Sequence, residues 1–168
     1  MQNIPSVDLR DFLSDDPKRK QKFVNEIGNA FEEIGFVALK GHFLDNQLVE
    51  ELYGEIRNFF SLPLETKHSY EIPGIGGQRG YVSFGKEHAK GRKEGDLKEF
   101  WHFGQYVEKD SKYASEYPDN VEVKELPRFN IVGKEAYQML EKTGVYVLRA
   151  LALHLGLNEF YFDEFAKE

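Results

Sequence analysis

The stretch from Pro73 to Gly104 most constrains the fold, because its composition excludes a regular helix. It contains eight glycines and the only tryptophan of the chain. Glycine is costly inside a helix and favours positions with positive φ. Aromatic residues such as Tyr81, Phe84 and Phe103 make the stretch too apolar for a solvated linker. An irregular loop of this kind is typical of a binding surface, although a pair of hairpins that merely closes a core remains open.

Amphipathic segments on both sides of this stretch predict its scaffold. Apolar residues recur at helical spacing up to Ile34, with Asp16 as the expected N-cap and Pro17 as the first helical residue. Gly35 is expected to end this helix in the left-handed conformation. Two further helices are predicted at 48–60 and 131–155, the second about 37 Å long and capped by Asn130. Strands are predicted at 4–9, 36–39, 81–84 and 99–103, a helical turn at 63–67 and a last short helix at 158–168. The predicted fold class is α+β, with one long C-terminal helix.

Three stretches of the sequence carry expectations about burial. Residues 36–39 are uniformly apolar, so this strand is expected to be buried on both faces. Residues 111–127 are polar and contain turn residues, which indicates an exposed excursion. Asp96, Lys98 and Glu99 are interpreted as charges along a predicted strand that make solvated cross-strand contacts.

Composition excludes several classes of function. The net charge of −7 argues against a general nucleic-acid binder, because phosphate neutralisation requires clustered lysines and arginines. The absence of cysteine excludes disulfides, thiolate metal sites and a cysteine nucleophile. No apolar run is long enough to cross a bilayer, and the N-terminus does not resemble a signal peptide. We therefore expect a soluble, cytoplasmic chain without a membrane partner.

The residues present no complete catalytic set and no predicted metal ligand. A facial-triad iron site needs two histidines and one carboxylate, and its usual local half is a His followed two residues later by Asp or Glu. None of the five histidines has that neighbour. The run Gly74, Gly76 and Gly77 lacks the ending of a phosphate-binding loop, and no nucleophile elbow is present.

His102 is the histidine best placed to face a pocket. In a strand, alternation would put His102 on one face with Phe100, and Trp101 with Phe103 on the other. By contrast, His154 falls on the apolar stripe of the long helix, where a buried and hydrogen-bonded histidine is expected.

Several stretches of the chain occur together in the order and spacing of one known family. They are residues 4–9, 31–42, 59–67, 79–81, 96–100 and 155–157. Together they resemble the N-terminal region of the non-haem Fe(II), 2-oxoglutarate-dependent oxygenases of the isopenicillin N synthase type. Each motif is loose alone, but the ordered set is specific and covers nearly the whole chain.

The resemblance implies that residues 1–168 are the N-terminal domain of such an oxygenase, whose strands would complete a double-stranded β-helix, or jelly roll. In this family the iron triad and the Arg-x-Ser that grips 2-oxoglutarate lie in a C-terminal jelly-roll half, so they have no matching positions here. Fe(II) and 2-oxoglutarate are therefore expected in the complete enzyme, and neither is expected on this chain alone. The matching substrate-pocket positions are Arg79, Tyr81, Phe100 and His102, with Arg79 expected to pair with a substrate carboxylate.

Two hypotheses follow from the sequence. In the first, the chain is the scaffold and substrate-pocket portion of an oxygenase that oxidises a small organic substrate, completed by a C-terminal half from the same gene or a second chain. In the second, it is a stand-alone, non-catalytic binding or interaction module. In isolation, uncovered strand edges and a half-covered helix stripe are expected to favour self-association.

Overall fold

The computed structural model describes residues 3–88, 90–91 and 94–166. Ala89, Arg92 and Lys93 of the glycine-rich stretch lie outside the described residues, as do the last two positions of the helix predicted at 158–168. The chain divides into two units: the first combines the residues before Asn46 with those after Tyr137, and the second is Asn46–Tyr137. None of the described helices combines the length and low polarity that a bilayer crossing requires.

The first unit is built around a two-stranded parallel sheet. Strand β1 (Ser6–Asp8) pairs with β2 (Ala38–Lys40). Helices α1 (Leu9–Phe12) and α2 (Pro17–Glu33) connect them, as a parallel pair requires a crossover. This unit also contains the later part of the long helix α5 (Pro127–His154) and the short α6 (Asp163–Ala166). Its hydrophobic core cluster consists of Val7, Leu9, Phe12, Phe23, Val24, Ile27 and Ala150.

Local signals correctly predict the ends of α2. The Asp16 side chain accepts a hydrogen bond from the backbone N–H of Lys18 at 2.9 Å, and Pro17 occupies the first helical turn. Beyond the last turn, Gly35 has a φ of 79°, the left-handed conformation that glycine adopts without steric cost. The predicted N-cap, proline and terminal glycine are therefore all confirmed.

The expectation that residues 36–39 form a strand buried on both faces is wrong. The strand is Ala38–Lys40, and Phe36 lies before it with 68% of its surface exposed. Within the described residues β2 pairs only with β1, so no third strand covers its other edge. A strand is buried on both faces only where other elements cover both faces of its sheet, and here Ala38 is exposed and Leu39 is half-buried.

The second unit has an aromatic core beneath an antiparallel hairpin. Its elements are α3 (Asn46–Phe60), α4 (Leu64–His68), β3 (Gly80–Val82), β4 (Phe100–His102) and the first part of α5. The buried core residues are Phe59, Tyr70, Tyr81, Val123 and Phe129, and Trp101 packs against them. The ring of Phe59 lies 4.7 Å from that of Trp101 and 5.1 Å from that of Phe129, so the hairpin and α5 share one apolar centre.

The long helix begins earlier than predicted, and Asn130 is not its N-cap. Helix α5 starts at Pro127, which places Asn130 inside the first turn. Its side chain accepts a hydrogen bond from the Val123 N–H at 2.8 Å and donates one to the Val123 carbonyl at 3.0 Å. These bonds hold Val123 completely buried, which also corrects the expectation that 111–127 is simply an exposed excursion.

Candidate functional site

The hairpin of β3 and β4 positions all four candidate pocket residues. Tyr81 lies opposite Trp101, and Gly80 lies opposite His102. The rings of Phe100 and His102 lie 4.7 Å apart, whereas Trp101 contacts Phe103 at 5.9 Å. The predicted alternation is therefore confirmed: Trp101 and Phe103 pack into the core, and Phe100 and His102 share the other face.

Arg79 is a buried cation without a matching anion among the described residues. It is 8% exposed, and its Nε is buried without a hydrogen-bond partner there. Its Nη1 donates to the Gln78 carbonyl at 2.7 Å. The guanidinium lies against Gly104, where any Cβ would overlap it. Gly104 is thus required for the position of Arg79, and the guanidinium retains unused donors.

Tyr81 belongs to a buried cluster that the sequence did not reveal. Its hydroxyl donates to Glu99 Oε2 at 2.5 Å, and Lys67 Nζ donates to the same oxygen at 2.8 Å. Lys67 also donates to the Phe60 carbonyl at 3.2 Å. The side chains of Lys67 and Glu99 are only 9% and 18% exposed. The interpretation of Glu99 as a solvated cross-strand charge is therefore wrong.

The contacts within this cluster determine which of its groups are ionised near neutral pH. Burial opposes ionisation of Glu99, but hydrogen bonds from Lys67 and Tyr81 outweigh it and hold the pKa of the carboxyl below its ordinary value. Burial, together with the hydrogen bond to Glu99, raises the pKa of Tyr81. The cluster therefore contains an ionised carboxylate and a neutral phenol.

Alternation could have identified Glu99, but no local signal identifies Lys67. Glu99, Trp101 and Phe103 are spaced two residues apart, so an extended segment directs all three toward the core face. Lys67, however, is 32 residues away in sequence and lies in a short polar helix. Only the folded chain brings the two charges together.

A small cavity of about 250 Å³ lies beside Tyr81. Gly76, Gly77 and Val82 line it together with three charged residues, Glu71, Lys86 and Glu87. The outer face of the hairpin contacts the loop that contains Gly76 and Gly77, because His102 Nδ1 lies 2.5 Å from the Gly77 carbonyl oxygen. His102 is exposed and Phe100 is half-buried. The structure thus brings Tyr81 and His102 to the same glycine loop from two sides.

The described residues do not fit an iron site. No group of three or more His, Cys, Asp or Glu side chains converges within residues 3–88, 90–91 and 94–166. Histidine–carboxylate pairs do occur: His68 lies 3.5 Å from Glu71, and His154 lies 3.0 Å from Glu32. Neither pair has the third ligand that a facial triad needs. His154 is mostly buried and paired, as the sequence indicated.

Comparison with known proteins points to one family. Residues 4–125 match a family model described as the N-terminal region of a non-haem dioxygenase in morphine synthesis. The chain is 27% identical over 164 residues to proline hydroxylase buaE of Petromyces alliaceus. It is 26% identical over 169 residues to a 1-aminocyclopropane-1-carboxylate oxidase of Dictyostelium discoideum. The two alignments cover 95% and 96% of this chain but 50% and 45% of the relatives, so the chain spans about half their length.

Solved structures give the same result. A 2OG-Fe(II) oxygenase family protein from Caulobacter crescentus superposes with a TM-score of 0.84 and 34% identity, over 97% of this chain and 52% of that one. A full-length Neurospora crassa protein, solved in complex with alpha-KG, superposes with a TM-score of 0.76 and 26% identity, over 95% of this chain and 46% of that one. These relatives favour the oxygenase hypothesis over the stand-alone binding module.

Proposed function

Because the chain belongs to the family of non-haem Fe(II), 2-oxoglutarate-dependent dioxygenases, as their N-terminal region, we propose that it forms the scaffold and one substrate-pocket wall of such an enzyme. The complete enzyme would oxidise a small organic substrate. Fe(II) and 2-oxoglutarate would be held by a C-terminal jelly-roll half, from the same gene or a second chain. When bound there, iron and its co-substrate would supply the oxidising power, and this chain would bind and orient the substrate.

The observation that carries this proposal beyond family membership is the buried, unmatched charge of Arg79. Removing a cation from water costs several kcal/mol unless an anion and hydrogen bonds compensate. Among the described residues no carboxylate forms an ion pair with Arg79, and its Nε has no acceptor. A substrate carboxylate would satisfy both needs, because the planar guanidinium can donate two parallel hydrogen bonds to it.

The other three pocket residues would act through shape. The Tyr81 hydroxyl is already bonded to Glu99 and the residue is almost fully buried, so Tyr81 would support the pocket wall from the core side. Phe100 and His102 would form an adjoining aromatic surface, held to the glycine loop by the contact of His102 with Gly77. Arg79 would thus fix one end of the substrate, and the rings of Phe100 and His102 would contact its body.

The test has a genetic and a biochemical part. We expect the reading frame beyond Glu168, or an adjacent frame, to encode the His-x-Asp and Arg-x-Ser motifs of the missing half. A complete enzyme should release CO2 from 2-oxoglutarate with Fe(II), and the 168-residue chain alone should not. A genuine stop without any such partner, or decarboxylation by the purified chain alone, would overturn the proposal.

A further inference from the structure

The Arg79 guanidinium lies against a backbone segment beyond the paired part of the hairpin. Pairing between β3 and β4 extends to Gly80 opposite His102, so Gly104 lies two residues past the last pair. Gly104 is nevertheless buried, and any Cβ on it would overlap the guanidinium. The position of the Gly104 backbone therefore limits where the guanidinium can lie.

Asn120 holds Gly104 in the way that a neighbouring strand would. The Gly104 N–H donates a hydrogen bond to the Asn120 side-chain oxygen at 2.8 Å. The Asn120 amide group donates to the carbonyls of Gly104 and Gln105, at 3.0 and 3.3 Å. One half-buried side chain thus bonds three backbone atoms, including both polar groups of Gly104. This segment is fixed before any ligand arrives, which lowers the ordering cost of binding.

Hydrogen bonds of Arg79 itself do not fix the orientation of its guanidinium. Within the part of the chain that the structure describes, Nη1 donates to the carbonyl of the adjacent Gln78 at 2.7 Å, and the buried Nε has no partner. One bond to the preceding residue leaves the guanidinium plane free to turn about it. Contact with the fixed Gly104 backbone restricts that rotation, and the planar guanidinium makes two parallel bonds to a carboxylate only in the matching orientation.

A second asparagine makes the same kind of backbone contact with a different neighbour. Asn130 accepts a hydrogen bond from the Val123 N–H at 2.8 Å and donates one to the Val123 carbonyl at 3.0 Å. It therefore holds both polar backbone groups of a buried residue, as Asn120 does for Gly104. Val123 belongs to the aromatic core, whereas Gly104 faces Arg79. Comparison of the two asparagines can thus separate support of the fold from positioning of Arg79.

We propose that Asn120 is a positioning residue for the substrate carboxylate. By fixing Gly104, it holds the Arg79 guanidinium in the orientation in which two parallel N–H donors meet the carboxylate. This role depends on the proposed binding of a carboxylate by Arg79, and it adds a residue that acts on the substrate only through Gly104 and Arg79. Loss of Asn120 therefore weakens carboxylate binding by more than the loss of an equivalent backbone contact elsewhere in the unit.

The test follows the Arg79 Nε–H group by proton–nitrogen correlation NMR of the 168-residue chain. Acetate, the probe, replaces chloride at constant ionic strength, and Arg79→Met identifies the signal by its absence. We expect acetate to shift this signal in the unmodified chain. Asn120→Ala should raise the dissociation constant of acetate about tenfold, because one of two charge-assisted hydrogen bonds is lost with the orientation.

Asn130→Ala is the matched control, since it removes the same pair of bonds to one buried residue of the same unit. Urea denaturation should show similar losses of stability for the two variants, but only Asn120→Ala should weaken acetate binding. Should Asn120→Ala fail to fold, Gly104→Ala tests the same link. Gly104 does not have a positive φ, and its new Cβ would meet the flexible end of Arg79, so this variant should fold and lose acetate binding.

The possible failures of the proposal are distinct. If Asn120→Ala or Gly104→Ala binds acetate as tightly as the unmodified chain, or if Asn130→Ala weakens binding equally, then Asn120 serves only the fold. Those results would leave the binding of a carboxylate by Arg79 intact. If acetate does not shift the Arg79 signal even in the unmodified chain, then Arg79 is not the carboxylate site, and the role of Asn120 falls with it.

Discussion

Two buried cations of the second unit, Lys67 and Arg79, differ in whether a carboxylate lies beside them. They are 7% and 8% exposed, so both have lost most of their hydration. The Lys67 ammonium contacts the Glu99 carboxylate and the Phe60 carbonyl. Among the described residues Arg79 has no carboxylate, and its Nε has no acceptor. We interpret Lys67 as a structural cation and Arg79 as a cation kept for an external anion.

Burial alone therefore does not reveal whether a charge serves the fold or a ligand. Removing one member of a buried pair leaves the other unpaired and costs about 3 to 5 kcal/mol. Removing a buried charge that has no counter-ion leaves no other ion unpaired, so its effect on folding should be small. Stability measurements on the two sites can therefore separate structural from functional burial.

The largest effect is expected for Glu99→Ala. The change leaves the Lys67 ammonium and the Tyr81 hydroxyl without their shared acceptor, so we expect the free energy of unfolding to fall by about 3 kcal/mol. Urea denaturation of the chain, followed by circular dichroism, measures it. Glu87→Ala is the control, because the Glu87–Lys98 pair is about half exposed and an exposed ion pair contributes little to stability. Equal losses in the two variants would contradict the structural role of Glu99.

Methionine substitutions at Lys67 and at Arg79 test whether the two buried cations differ in their contribution to stability. Lys67→Met should lower the free energy of unfolding by about 2 kcal/mol or more, because Glu99 loses its cation. Arg79→Met should change it by less than about 1 kcal/mol, because a long apolar side chain replaces an unmatched charge of similar length. The same urea titration applies to both. If Arg79→Met destabilises the chain as much as Lys67→Met, then Arg79 is structural.

Arg79→Ala tests whether Arg79 binds a substrate carboxylate. In a complete enzyme containing this chain, we expect KM for a carboxylate substrate to rise about tenfold or more, since a charge-assisted contact is lost. The melting temperature should change little. Steady-state kinetics and thermal unfolding on the same preparation measure the two effects. Unchanged kinetics with a lowered melting temperature would show that Arg79 serves the fold.

A change of pH is expected to have a smaller effect on the free energy of unfolding. The folded-state pKa of Glu99 lies below its ordinary value, with Lys67, Tyr81 and His68 around it. Its ionised form therefore stabilises the folded chain above the unfolded-state pKa, and this contribution is lost as pH falls through the folded-state pKa. We expect the stability difference between wild type and Glu99→Gln to shrink between about pH 6 and pH 3. A constant difference, measured by urea titration at each pH, would argue against this linkage.

Local features of the fold were predictable, and features that depend on distant partners were not. The ends of α2 follow from Asp16, Pro17 and Gly35, which act on adjacent backbone groups. Asn130 carries the same type of local signal, yet its amide bonds to Val123, seven residues earlier. A side chain suited to capping can satisfy a different backbone segment, and the sequence does not say which one.

In the candidate site, too, features set by local geometry were predictable and features that depend on distant residues were not. Alternation correctly places His102 beside Phe100 and Trp101 in the core, because strand geometry alone determines it. Pairing of Lys67 with Glu99 depends on how α4 and β4 meet, which no local pattern specifies. The contact of Arg79 with Gly104 is equally non-local. The resemblance to a family identifies Arg79, whereas only the structure shows that it is unmatched.

The position of Trp101 has a spectroscopic consequence. As the only tryptophan of the chain, it lies in the aromatic core of the second unit, next to Phe59 and Phe129. Its fluorescence emission therefore reports the environment of that core, while far-ultraviolet dichroism reports the helices of both units. Separate midpoints from the two signals would show that the units unfold independently, and a common midpoint would show a single cooperative transition.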